Sequence, residues 1–106
     1  MAEITLLTAD LFTAEVKTAR ISAVVAFTAG WTDACRELES HMAALAGLHP
    51  GYRFFKVDID DAEPLAAKHE VAGIPTALVF REGEERDRLT GRAAMSRLPE
   101  LLQKKS

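Results

Sequence analysis

The chain has 106 residues, 48% of them apolar and 27% charged, with a net charge of −3 at pH 7. That length holds one domain spanning residues 1–106, and the composition supports a packed core and excludes a disordered chain. The mild negative balance gives no basic footprint for nucleic acid, and no run of about 18 apolar residues exists to form a membrane-crossing helix.

Taken in chain order, "EITLLT" (3–8) reads as a short strand. "ADLFTAEVKTA" (9–19) reads as a helix with Leu11, Phe12 and Val16 toward the core. "ISAVVAFT" (21–28) is a nearly continuous apolar run, the pattern of a strand buried on both faces. From Thr32 to Leu48 the period becomes helical, and Cys35, Leu38, Met42 and Leu45 share one face. "HPG" (49–51) stops that helix, and "YRFFKVDID" (52–60) is a third strand. "DAEPLAAKHEV" (61–71) reads as a short helix capped by Asp60 or Asp61, with Pro64 in its first turn. "TALVFRE" (76–82) and "ERDRLTG" (85–91) form a hairpin around Gly83. "AMSRLPELLQKK" (94–105) is a closing helix in which Pro99 is tolerated if the helix starts near Ser96. The order β-α-β-α-β-α-β-β-α predicts an α/β domain. Its central sheet is mixed, with helices on both faces and an antiparallel edge.

The chain holds one cysteine, Cys35, so no internal disulfide can form. The N-terminal "MAEITLLTADLF" lacks the basic segment and apolar core of a secretory signal. Both features fit a reducing compartment, and the cytoplasm is the expected location. The three histidines, His41, His49 and His69, have no metal-ligand spacing, and Asp58, Asp60, Asp61 and Glu63 read as a strand end and helix cap. No metal or cofactor is expected.

Two stretches stand out from the packing pattern. "GWTDAC" (30–35) joins a buried strand to a helix, and in "AGIPTALVF" (72–80) Ile74-Pro75 directly precedes a strand. With the element order over residues 2 to 105, they make the chain similar to the thioredoxin family. Trp31-Thr32-Asp33-Ala34-Cys35 stands where that family carries Trp-Cys-Gly-Pro-Cys, and Gly73-Ile74-Pro75-Thr76 resembles its cis-proline motif. "KVDID" (56–60) and Gly91 before the last helix also fit.

The resemblance implies a thioredoxin-like fold and a peptide-pairing surface around Trp31, Asp33, Ala34, Ile74, Pro75 and Gly91. It implies a cis bond before Pro75. The departures bear on chemistry. Thr32 replaces the attacking cysteine, and Ala26 stands where many relatives carry a buried aspartate. A hydroxyl cannot open a disulfide, so ordinary disulfide reductase activity is not expected.

Cys35 has two readings. As a small apolar residue on the face of Leu38 and Met42 it is inert, because burial disfavours the thiolate. Partly open, it gains from the free N–H groups of the helix start, an effect of about 0.3–2 kcal/mol. A reactive Cys35 would need glutathione or a partner thiol to resolve it. Thr32 is a natural N-cap, with a hydroxyl able to accept from Ala34 or Cys35. Thr32-x-x-Cys35 is also similar to a motif of peroxiredoxins, although Thr28 stands where those carry a proline and Arg36 is placed to point away. The expected role is therefore protein or peptide binding, or a reversible mixed disulfide on Cys35, by a monomer. The alternative is a thiol-dependent oxidoreductase, peroxidase-like or glutathione-dependent, using Thr32 and Cys35.

Overall fold

The computed structural model describes residues 4–18, 21–29, 32–71 and 73–103. The first strand, β1 (Thr5–Leu6), is shorter than the expected six residues, and both its side chains are exposed at the sheet edge. Leu7 leaves the edge and turns into the core, while its N–H still reaches the Lys56 carbonyl at 2.8 Å. Helix α1 (Ala9–Phe12) runs directly into a π-helical segment, Thr13–Thr18. Phe12 and Val16 are buried, but Leu11 is 47% exposed, contrary to its expected place in the core. Neighbouring helical residues point about 100° apart, so Leu11 cannot share the stripe that Phe12 and Val16 occupy.

The apolar run forms β2 (Ala23–Thr28), with all six side chains buried. It is the middle strand of a five-stranded sheet in the order β1-β3-β2-β4-β5. Helix α2 (Asp33–Leu48) follows, then β3 (Arg53–Asp58), which lies parallel to both β1 and β2. The sequence places the end of β3 two residues later. The strand stops at Asp58 because its carboxylate accepts the Asp60 N–H at 2.9 Å and its carbonyl accepts from Asp61 and Ala62.

That turn also displaces the expected helix cap. Helix α3 (Glu63–Lys68) starts after Ala62, which makes no side-chain cap, so neither Asp60 nor Asp61 caps it. Pro64 lies in its first turn. The helix ends before Val71, since Glu70 turns left-handed with φ 55°.

Strand β4 (Thr76–Arg81) pairs antiparallel with β2 and with β5 (Glu84–Thr90). Their hairpin turns through Glu82 and Gly83, with φ 57° and 82°, the positive pair that follows the twist of an antiparallel ribbon. The closing segment is two helices, α4 (Arg92–Ser96) and α5 (Leu98–Gln103), not one. Pro99 has no N–H for the carbonyl one turn earlier, so the helix breaks at Arg97 and restarts.

Alternation along β2 builds two cores. Ala23, Val25 and Phe27 face one cluster with Phe12, Val16, Leu65 and Phe80. Val24 and Ala26 face the other, with Leu38, Met42, Leu98 and Leu101 from α2 and α5. The sheet is thus covered on both sides, and the loops at one of its ends are left to carry function.

Candidate functional site

At the carboxyl end of β2 the chain enters α2 through Thr32. This residue keeps an extended backbone (φ −113°, ψ 142°), and its hydroxyl accepts the Cys35 N–H at 3.1 Å. The cap forms because the first turn of any helix leaves N–H groups without intrahelical partners. The Thr32 oxygen thus faces the Cys35 backbone. Asp33 and Ala34 in the same turn are exposed. Asp33 is paired with Arg36 on the solvent side.

Cys35 is 0% exposed and shares its buried face with Leu38, Met42 and Leu45. Its sulfur accepts the Ala29 N–H at 3.4 Å. That contact ties α2 back onto the strand end and closes the sulfur from two sides. Trp31 lies outside the described residues.

The second part of the site is the loop before β4. The Ile74–Pro75 peptide bond is cis. Pro75 is buried and Ile74 is half-buried. The two parts lie at the same end of the sheet, because Phe27 of β2 faces Thr76 of β4 in the register. Gly91 approaches from β5 and donates its N–H to the Pro75 carbonyl at 2.8 Å. Gly91 has φ 65°, a conformation that costs an L side chain about 1 kcal/mol or more.

Most of the loop's polar backbone is accounted for from β4 and β5. Thr76 donates its hydroxyl to the Gly73 carbonyl at 2.5 Å and lies 3.3 Å from the Thr90 hydroxyl. Arg88 donates to the His69 and Glu70 carbonyls at 2.6 and 3.0 Å. Among the described residues, neither the N–H nor the carbonyl of Ile74 takes a backbone partner. The structure therefore joins Thr32 to Cys35 and Pro75 to Gly91, and among the described residues the backbone of Ile74 takes no backbone partner.

Sequence reasoning does not single out Ala29, Thr90 or Arg88. Ala29 carries no functional side chain, and Thr90 and Arg88 belong to a charged edge strand whose composition suggests only solubility. A cleft of about 330 Å³ lies beside the first turns of α2, lined by Leu6, Thr28, Arg36, Glu39, Lys56 and Asp58. Lys56 and Glu39 form an ion pair at 3.0 Å there. Two other clefts lie at the opposite end of the sheet, around Pro50 and Tyr52. Among the described residues, no helix is long and apolar enough to cross a membrane.

The family model for thioredoxin matches residues 3–104. A thioredoxin H-type of Fagopyrum esculentum is 37% identical over 81 residues, covering 76% of this chain and 66% of that protein. The match thus spans just under two thirds of that plant relative's length. A thioredoxin of Staphylococcus epidermidis is 37% identical over 82 residues, covering 76% of this chain and 79% of its own. The crystal structure of mitochondrial thioredoxin 3 from Saccharomyces cerevisiae, in its oxidized form, superimposes with a TM-score of 0.86 at 26% identity, covering 96% of this chain and 95% of that one. With the family model matching residues 3–104, this single-cysteine chain belongs to the thioredoxin family.

Proposed function

We propose that the protein is a binding member of the thioredoxin family, without ordinary disulfide reductase activity, and that it pairs with an extended protein or peptide segment along the cis-proline loop. The observation that carries this reading is the unpaired backbone of Ile74, beside a loop whose neighbouring carbonyls are occupied. A donor and an acceptor without backbone partners on one half-buried residue can form the start of a strand-addition edge. Ile74, Pro75 and Gly91 supply its apolar floor, with Asp33 and Ala34 as the rim contributed by the start of α2.

The sulfur chemistry that normally accompanies such a surface has lost two requirements. Thr32 provides no attacking thiolate, and the chain has no second thiol to resolve a mixed disulfide. Cys35 is held under the helix start, which supports a packing role. A monomer in the cytoplasm, needing no metal or cofactor, is the form this reading implies.

The test has two arms. Insulin reduction with a thioredoxin reductase is expected to show no turnover above background. Titration with a blocked peptide, acetyl-Lys-Val-Thr-Val-Thr-Lys-amide, is expected to move the amide resonances of Ile74 and Gly91 in both the wild type and Cys35→Ser. Turnover like that of a dithiol thioredoxin overturns the first part. A peptide response that vanishes in Cys35→Ser overturns the second and favours a Cys35-dependent redox role.

A further inference from the structure

We propose that Arg88, on edge strand β5, is the positioning residue of the cis-proline loop, and that its grip on the loop sets how well the loop pairs with a peptide. This rests on the peptide-pairing reading given above. The segment from His69 to Val71 leaves α3 with its N–H groups on the Leu65, Ala67 and Ala66 carbonyls and a left-handed Glu70, while its own carbonyls take no backbone N–H among the described residues. Such a segment keeps one shape only if its carbonyls are held from outside.

Strand β5 supplies the holding points. Arg88 and Thr90 lie two residues apart, so their side chains leave the same face of the strand. The Arg88 guanidinium donates through Nη2 to the His69 carbonyl at 2.6 Å and through Nη1 to the Glu70 carbonyl at 3.0 Å. Thr90 faces Thr76, whose hydroxyl holds the Gly73 carbonyl, and Gly91 holds the Pro75 carbonyl. A Cβ added at Gly73 would meet Thr90 Cγ2 at 3.4 Å, which puts the loop in contact with the strand.

Arg88 is itself aimed. Glu85 accepts from its Nε at 3.0 Å and from Nη2 at 3.3 Å, a two-point pairing that fixes the plane of the guanidinium. The group is only 33% exposed. It thus bridges a carboxylate on its own strand and two carbonyls at the end of α3. A lysine offers one nitrogen and cannot span all three acceptors with this planar geometry.

The consequence for binding is a matter of population. If the loop is freed to sample other shapes, apparent affinity falls by the fraction of time it spends competent. Losing two charge-assisted hydrogen bonds is enough for roughly a tenfold loss.

The experiment compares wild type, Arg88→Met, Arg88→Lys and Glu85→Gln. It measures amide hydrogen exchange across residues 69–76, affinity for acetyl-Lys-Val-Thr-Val-Thr-Lys-amide, and thermal unfolding. Expected is roughly tenfold faster exchange in the loop and a roughly tenfold weaker affinity in Arg88→Met, at a temperature where the variant is fully folded. Arg88→Lys recovers little, and Glu85→Gln lies between. Unchanged loop exchange in Arg88→Met overturns the proposal, as does unchanged affinity with a measurable wild-type response. If the wild type shows no peptide response, the pairing reading fails, and loop exchange alone decides whether Arg88 positions the loop.

Discussion

The two halves of the site treat their reactive groups in opposite ways. At the start of α2 the Thr32 oxygen is occupied by the Cys35 N–H, and the Cys35 sulfur by the Ala29 N–H. At the cis-proline loop the flanking carbonyls are held by β4 and β5, but the Ile74 backbone is left open. One end of the site is closed by its own hydrogen bonds, and the other keeps a backbone group with no backbone partner among the described residues. Loss of the attacking sulfur removes any need for an accessible Cys35. The loop is set by a cis bond and by contacts from the far edge of the sheet, and none of these depends on sulfur.

The contrast can be broken most strongly from the closed side. Leu38→Ala removes a fully buried side chain one turn below Cys35 and is expected to cost about 2–5 kcal/mol in urea unfolding. A cost below about 1 kcal/mol would show that α2 is not pinned to the sheet. Thr32→Ala deletes the cap, with an expected loss of about 1 kcal/mol and faster reaction of Cys35 with a thiol reagent. Thr32→Ser, which keeps the oxygen, should lose much less. Equal labelling in all three forms would mean that the cap does not guard the sulfur.

From the open side no expected effect on stability reaches that of Leu38→Ala. Ile74→Ala trims a half-buried side chain, for an expected cost of at most about 1–2 kcal/mol, while the peptide response of the loop is lost or strongly weakened. A full peptide response in that variant would shift the binding edge elsewhere. Smallest is a gain: Glu70→Gly relieves a left-handed backbone and should raise stability by up to about 1 kcal/mol in thermal unfolding. A loss there would mean that the Glu70 side chain contributes more than its strained backbone costs.

The features legible in the sequence are those that depend on period and local chemistry. The nearly continuous apolar run at 21–28 foretold β2, and the steps of three and four from Cys35 to Leu45 foretold the buried face of α2. Thr32 could be read as a cap because its hydroxyl acts within its own turn. Contacts between distant segments were not legible. Nothing local says that Asp58, not Asp60 or Asp61, uses its carboxylate to shape the turn before α3. Nor does it say that Arg88 crosses to the carbonyls of residues 69 and 70, since one charged residue on an edge strand looks like any other. The choice between Leu11 and Phe12 for the core is settled by the space that Phe80 and His69 leave, and the break at Pro99 turns one expected helix into two.

Strand β2 is a wall shared by two rooms. Its odd-numbered side chains furnish one hydrophobic cluster and its even-numbered ones the other. Deleting or inserting a single residue in it would swap both sets at once, so the strand is the part of the chain least able to absorb a change of length. The same sharing couples the melting of the two sides: neither cluster can come apart while the other keeps β2 in place. The β2 amides should therefore exchange with solvent only when the whole domain opens, and a partner on the outer loops can come and go without disturbing them.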